Sequence, residues 1–438
     1  MKHFLVVAYY FPPSGGPGVQ RVLKHIKYIR EFGWQPIVLT VENGEFPARD
    51  ESLLEEIPKD VVVRRTKIYE PYDIYRIFTG KKPGTPIDVN TIKKENQSLS
   101  TKEKIAEFIR ATFFIPDARI GWMLTARREA LRIIKEFDCK AIYSSSPPYT
   151  CSLIARYAKK KSKLPWIAGF RDPWTGFISA PKRWFLPKII DMNFEKSVFK
   201  QADFVECAWE GIIKDALDKY PDLDKNKFVH IPNGFDSKDF PKVEYTRNDC
   251  FTMTYTGSMY GRRNPQSLLM AIEKLLVEKK ITKNDFKLRF IGRFGNEVLE
   301  MFDKSDFRER IEVLEYMPHK ESIEYLIKSE ALLLVVDESK ESEEIVPGKV
   351  YEYIGVRRPI LAIAPQHGAI ADLIRQTESG LVAHQSEIDK ISQIFMKYLS
   401  AWKNNNLIAK ENKDLINQFE RKNAAKKLAE LLNELTNQ

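Results

Sequence analysis

Apolar and polar positions along the chain alternate between two periods. His3–Tyr10 is a continuous apolar run, the mark of a strand covered on both faces. Val19–Glu31 repeats apolar residues at helical spacing (Val19, Val22, Leu23, Ile26, Ile29) and stops at Gly33. Pro36–Val41 is again a strand, Arg127–Phe137 a helix and Ala141–Ser145 a strand running into Pro147-Pro148. A helix over 151–161 and a strand over Trp166–Phe170 follow, with further strands at Asp203–Cys207 and Phe228–Ile231. Residues 66–105 interrupt this rhythm; they are polar and rich in Pro, Gly and Asn, and read as a mobile surface insertion.

The turn Ile231-Pro232-Asn233-Gly234-Phe235-Asp236 and the polar stretch 237–249 place a domain boundary near 240–250. Alternation then restarts, with strands expected at Met253–Gly257, Leu288–Gly292, Ile311–Leu314, Ala331–Val336, Pro359–Ala364 and Gly380–Ala383. Leu415–Leu435 reads as a helix with an apolar face at Ile416, Phe419, Ala424, Leu428 and Leu431. The pattern predicts an α/β chain of two tandem doubly wound, Rossmann-like parallel-sheet domains, 1–240 and 241–414, with a cleft between them. The C-terminal helix, 415–438, is expected to pack back on the first domain.

Composition narrows the class. The 438 residues are 43% hydrophobic and 30% charged, which excludes a disordered chain, and no apolar run approaches the ~18 residues of a membrane span. The first apolar run is too short for a signal peptide and lacks a cleavage site. Cys139, Cys151, Cys207 and Cys250 form no C-x-x-C pair, so a reducing, cytoplasmic setting is expected. Residues 1–200 carry 35 Lys and Arg against 21 Asp and Glu, a balance of +14; residues 201–438 carry 35 against 39, or −4. Two domains with different partners fit this split.

Four segments carry candidate chemistry. Gly15-Gly16-Pro17-Gly18 lies between the first strand and first helix, where glycines let backbone approach an anion. Arg21 stands where a dinucleotide fingerprint needs its third glycine, so a simple loop or an anion contact fits better than a dinucleotide site. Arg171-Asp172 ends a strand; Asp172 is read as a substrate-facing carboxylate oriented by Arg171, against the bland reading of an ion pair anchoring a loop. Gly257-Ser258 leads through Arg262 and Arg263 to a helix start, a cradle for a diphosphate or else a solvated basic loop. Glu344, Pro347, Gly348, Lys349 and Glu352 span the start of another helix, where Lys349 needs an anionic ligand or a carboxylate as partner.

Other features are discounted. Asp222-Leu223-Asp224 lies in a polar segment, and the six histidines show no ligand spacing, so no metal is expected. Lys159–Lys161 reads as a solvated helix end, with a membrane or polyanion contact as the sharper alternative. Phe113-Phe114-Ile115, between Arg110 and Arg119, is either core or an interfacial contact.

Taken together, the glycine loop at 15–18, Asn233-Gly234-Phe235-Asp236, the strand–loop–Arg segment at 257–265, the Glu344/Glu352 pair and the C-terminal helix resemble retaining glycosyltransferases of the GT-B fold, in the glycosyltransferase family 4 group. Phe-Pro-Pro-x-Gly-Gly, Phe-Arg-Asp-Pro-Trp and Pro-Gly-Lys-x-x-Glu-Tyr are similar to the branch that makes bacterial surface polysaccharide. The resemblance implies a nucleotide-sugar donor, no cofactor or metal, and a glycan or lipid-linked acceptor. It implies that Glu352 binds the donor ribose, Glu344 lies near the donor sugar, and Arg263 or Arg262 with Lys349 neutralises the diphosphate. It further implies that residues around Arg293 and Met317 meet the base, and that Gly16 lets the first loop close on donor or acceptor. Two departures stand out: Ser258 occupies a position where the family often has Arg, and the first domain offers Arg171-Asp172 rather than a donor-facing His. The +14 of the first half adds an expected contact with an anionic membrane face, without nucleic acid. An NAD(P)-dependent oxidoreductase, a non-catalytic GT-B binding protein and a nucleotide-sugar epimerase are the alternatives.

Overall fold

The computed structural model describes residues 1–46, 48–69, 108–176, 181–337, 346–406 and 412–437. The expected insertion at 66–105 therefore lies, from residue 70, outside the described residues, as does Glu344. Two compact units form: Met1–Asn233 with Arg421–Gln438, and Gly234–Glu420. The chain passes from one to the other inside the Asn233–Asp236 turn, before the expected boundary near 240–250.

The first unit is a seven-stranded parallel sheet among the described residues. Its strands are β1 (Lys2–Ala8), β2 (Trp34–Val41), β3 (Val62–Thr66), β4 (Ala141–Ser146), β5 (Trp166–Phe170), β6 (Phe204–Cys207) and β7 (Phe228–His230), in the order β3-β2-β1-β4-β5-β6-β7. Helices α1 (Pro17–Tyr28), α2 (Met123–Glu136), α3 (Thr150–Ser162), α4 (Phe185–Gln201) and α5 (Glu210–Lys219) connect them. β1 is covered on both faces, which is why its sequence is apolar throughout rather than alternating.

Among the described residues of the second unit, β8 (Phe251–Thr256), β9 (Phe286–Ile291), β10 (Ile311–Leu314), β11 (Ala331–Val335), β12 (Ile360–Ile363) and β13 (Gly380–Ala383) run parallel in the order β10-β9-β8-β11-β12-β13. Its helices include α6 (Gln266–Val277), α7 (Asn296–Asp303), α8 (His319–Ile327), α9 (Gly348–Val356), α10 (Ala369–Gln376), α11 (Ile388–Lys403) and α12 (Lys413–Gln418). One apolar layer, with Phe251, Phe286 and Phe395, fills one side of the sheet; another, with Leu332, Tyr353 and Ile370, fills the opposite side. In both units strand order reverses beside the central strand, between β1 and β4 and between β8 and β11. In such sheets ligands bind outside the carboxyl ends of the strands at that reversal.

The C-terminal stretch, read as one helix over Leu415–Leu435, is two: α12, and α13 (Arg421–Thr436). The break has a hydrogen-bonding cause. The Phe235 N–H donates to the Phe419 carbonyl (3.1 Å), so the chain leaves the helix at the point where it pairs with the outgoing turn. A side chain on Gly234 would strike that same carbonyl. α13 then buries Ala425, Leu428, Ala429 and Leu432 in the core of the first unit, and Asn433 accepts from the Trp34 indole (3.0 Å).

Candidate active site

In the second unit the reversal point brings together the loop after β8 and the start of α9. Gly257 follows β8 at φ 118°, in the region that favours glycine, and its N–H donates to the Ile291 carbonyl (2.9 Å). A Cβ on the neighbouring Gly292, at φ 144°, would lie 2.0 Å from the Gly257 carbonyl oxygen, so two glycines let the two strand ends cross closely. The Ser258 carbonyl accepts from the Tyr255 hydroxyl (2.9 Å), which fixes the turn toward Arg262 and Arg263. Arg262 is exposed. Arg263 is half-buried, and its Nε is buried with no hydrogen-bond partner among the described residues. An orphaned buried guanidinium nitrogen of this kind is costly unless a ligand meets it.

α9 starts with Pro347 at its N-cap position, Gly348 first in the helix and Lys349 next; among the described residues no side chain caps its free N–H groups, and its first turn holds no acid. Space beside Gly348 is open. Its place in the sequence calls for an anion or a carboxylate against Lys349. The structure instead turns its Nζ inward, over the Tyr255 ring (4.1 Å) and onto the Tyr255 hydroxyl (2.9 Å) and Thr256 carbonyl (3.4 Å). Burial first, then the nearby charge of Arg263, lowers this ammonium to about 7, with Glu352 opposing. Two cations thus share a site at a helix N-terminus, and an anion there would relieve both.

Glu352, one turn further on, accepts from His319 Nε2 at 2.8 Å, at the start of α8. The Tyr353 hydroxyl accepts from the Thr256 N–H (2.7 Å) and pins α9 to the end of β8. Arg293 is exposed and lies over the Tyr316 ring (5.2 Å); Met317 is half-buried nearby in sequence, on the loop after β10. Gly257, Ser258, Arg263, Pro347, Gly348, Lys349 and Glu352 therefore lie at the carboxyl end of the second sheet, beside the central strand β8. Sequence reasoning missed Tyr255, which looks like any apolar strand position, and His319, weighed only as a metal ligand. A histidine at a helix start just after β10 was the available signal.

In the first unit, Gly16 holds φ 99° at the start of α1, and a Cβ there would meet nothing within 4 Å. Gly15 differs: its N–H donates to the Ala48 carbonyl (2.9 Å), and a Cβ there would lie 3.4 Å from Asp50 Cβ and 3.5 Å from Ala48 Cβ. Arg171, expected to orient Asp172, acts on it through charge, and no hydrogen bond joins the two side chains among the described residues. Its guanidinium donates to Ser145 Oγ (2.6 Å) and the Pro147 carbonyl, beneath Gly18, and so ties β4's exit to the first turn of α1. The Asp172 carboxylate makes no hydrogen bond among the described residues. Burial raises it above the ordinary carboxylate range, against the pull of Arg171.

Arg21 explains the broken dinucleotide pattern. It enters the fold to reach Glu206 and also donates to Ile231 (2.6 Å), Pro232 (3.2 Å) and Asn233 Oδ1 (3.0 Å). The position that close helix–strand packing would give to glycine is a structural arginine.

The comparisons agree with this fold. A family model described as Glycosyltransferase Family 4 matches residues 18–239, and one described as Glycosyl transferases group 1 matches residues 236–418. A search of curated protein sequences finds no match. Among solved structures, a glycosyltransferase from Rickettsia africae is similar at 14% identity and TM-score 0.63, over 99% of this chain and 98% of the other. WaaG, a glycosyltransferase involved in lipopolysaccharide biosynthesis, is similar at 13% identity and TM-score 0.56, over 98% and 99%. A TarM variant from S. aureus, solved with UDP, fondaparinux and alpha-GlcNAc-glycerol, is similar at 10% identity and TM-score 0.58, over 99% and 100%. At these identities the likeness shows the GT-B fold.

Proposed function

The chain belongs to glycosyltransferase family 4, and on that premise we propose that it moves a sugar from a nucleotide-sugar donor to a glycan or lipid-linked acceptor in cell-surface polysaccharide synthesis. Retention of configuration is part of the proposal and comes from the family resemblance.

The observation that carries the donor reading is the paired cation site: Arg263, whose buried Nε has no partner among the described residues, and Lys349 beside it at a helix N-terminus that no described side chain caps. Breaking a sugar–phosphate bond leaves negative charge on a departing nucleoside diphosphate. Fixed cations and free N–H groups stabilise that charge where it develops. An incoming diphosphate would also draw Lys349 fully into its protonated form, because an adjacent anion raises an ammonium pKa. Glu352, already accepting one hydrogen bond from His319, has a second oxygen for ribose hydroxyls. Glu344 is proposed beside the donor sugar and the Arg293–Met317 region beside the base. In the first unit Asp172 is proposed to face the acceptor, with Gly16 giving it room. WaaG, named for lipopolysaccharide biosynthesis, supports the surface-polysaccharide setting. The cationic excess of residues 1–200 supports an acceptor presented at an anionic membrane face on the cytoplasmic side.

Glu352→Ala is expected to weaken nucleoside diphosphate binding by about 10- to 100-fold, the loss of hydrogen bonds to a charged group worth about 1.5–3 kcal/mol. Calorimetric titration checks it. Unchanged affinity would remove the ribose assignment.

A further inference from the structure

The first two turns of α4 are unusual for a surface helix. Its inner face is filled by Pro187, Asp191, Glu195, Val198 and Phe199, all buried. At about 100° per residue, Phe185, Leu186, Ile189 and Ile190 occupy an outward arc of about 140°. All four are exposed among the described residues, Phe185 by 77%. Further along the same arc the outward positions become polar: Asn193, Lys196 and Lys200. An ordinary solvent face would be polar from the start. Here the apolar part is confined to one end of the helix.

That end is braced. Arg183, itself paired to the buried Asp191 (2.7 Å), donates to the carbonyls of Ala111 (2.6 Å), Phe114 (2.9 Å) and Pro116 (2.7 Å). The Trp184 indole donates to Thr112 Oγ1 (2.9 Å). These bonds hold the 111–116 segment, in which Phe113 is exposed by 69%, against Arg183 and Trp184 at the start of α4. The Phe113 segment, weighed in the sequence as core or interface, is divided: Phe114 and Ile115 are half-buried and Phe113 points out. Among the described residues, the exposed charges that flank the ridge on α4 and just before it are of one sign. Lys182 and Lys188 are exposed and make no ion pair among the described residues. The two acids of α4 in this region, Asp191 and Glu195, are turned inward and bonded.

We propose that this ridge, Phe113 with Trp184, Phe185, Leu186, Ile189 and Ile190, is a membrane-docking surface that inserts between the headgroups of an anionic bilayer, with Lys182 and Lys188 on the lipid phosphates. Aromatic and aliphatic side chains rimmed by cations suit the interface of an anionic membrane, and an exposed apolar patch of this kind marks an interaction site. A protein partner would need acidic complementarity as well, whereas a bilayer supplies apolar depth and negative charge together. The inference deepens the membrane-presented acceptor reading and rests on it.

The test is sedimentation of the full chain with vesicles of phosphatidylcholine alone or with about one third phosphatidylglycerol. Wild type is expected to pellet only with the anionic vesicles. Phe185→Ser/Ile189→Ser should lower the bound fraction by at least ~10-fold and leave the melting temperature unchanged. Lys182→Gln/Lys188→Gln should remove the dependence on anionic lipid. Three results would overturn the proposal: wild type that stays in solution, an apolar-to-Ser variant that pellets like wild type, or a melting temperature that falls in that variant, which would mean the chain itself covers the ridge. A nucleoside diphosphate thermal shift on the same protein separates the two readings. A shift without vesicle binding removes only the docking surface, and vesicle binding without a shift removes only the donor site.

Discussion

Arg263→Ala is expected to lower kcat by about 10²–10³, corresponding to about 2.7–4 kcal/mol of lost transition-state stabilisation. The reason lies in how Arg263 is held. Its backbone N–H is bonded to Tyr260 (3.1 Å), while its Nε is buried with no partner among the described residues. The fold therefore places the charge without using it. After burial, its charge is the second cause that lowers Lys349, so the two basic side chains oppose each other's charge. An interaction made mainly with the departing diphosphate acts on kcat rather than on KM. The melting temperature should be unaffected, since no protein group loses a bond to that nitrogen. Steady-state kinetics with an accepted donor, beside a thermal melt, check both halves. A variant that turns over like wild type would show that the arginine does not meet the phosphate.

Arg21→Met is expected to cost about 3–5 kcal/mol of stability, because it leaves Glu206 buried without its counter-charge. Glu206 is fully buried and also accepts from Tyr143 (2.6 Å) and His25 (3.2 Å). Burial alone would raise this carboxyl, but the Arg21 guanidinium, then the His25 and Tyr143 bonds, outweigh it and hold the group well below the usual carboxylate range. A carboxyl depressed in the folded state contributes its full stability above the unfolded value, about 4.3. That contribution is lost as pH falls toward the folded value. Urea unfolding at neutral pH should show the deficit, and the gap between wild type and variant should narrow in acid. A loss under about 1 kcal/mol at neutral pH would mean the cluster relaxes or admits water. The same arginine holds Ile231, Pro232 and Asn233, the last residues before the chain leaves the first unit, so the variant should also loosen that turn.

The parallel sheets were readable because strands buried on both faces give continuous apolar runs, and β1, β5 and β11 all do. β3 was not, since Val62–Thr66 is only half covered and carries two arginines. α4 was also missed. Its inner face includes Asp191 and Glu195 and its outer face begins with Phe185 and Leu186, which reverses the helical pattern that a sequence shows. The break between α12 and α13 depends on one bond to Phe235, far away in sequence. Within the site, glycines and cations at strand ends and helix starts were legible from local rules alone. Tyr255 and His319 were not, because each gains its role from an element that reaches it only after folding. The bond from His319 to Glu352 spans 33 residues and the one from Lys349 to Tyr255 spans 94.

The central claim is that the second unit holds the diphosphate of a nucleotide sugar. A thermal-shift panel of nucleoside diphosphates and nucleotide sugars tests it most directly, because a ligand of the native state raises stability by linkage, about 2.7 kcal/mol at a hundred times its dissociation constant. At least one nucleoside diphosphate should raise the melting temperature of the wild-type chain, and the rise should shrink in Glu352→Ala. A panel in which no nucleoside diphosphate or nucleotide sugar moves the melting temperature would contradict the account.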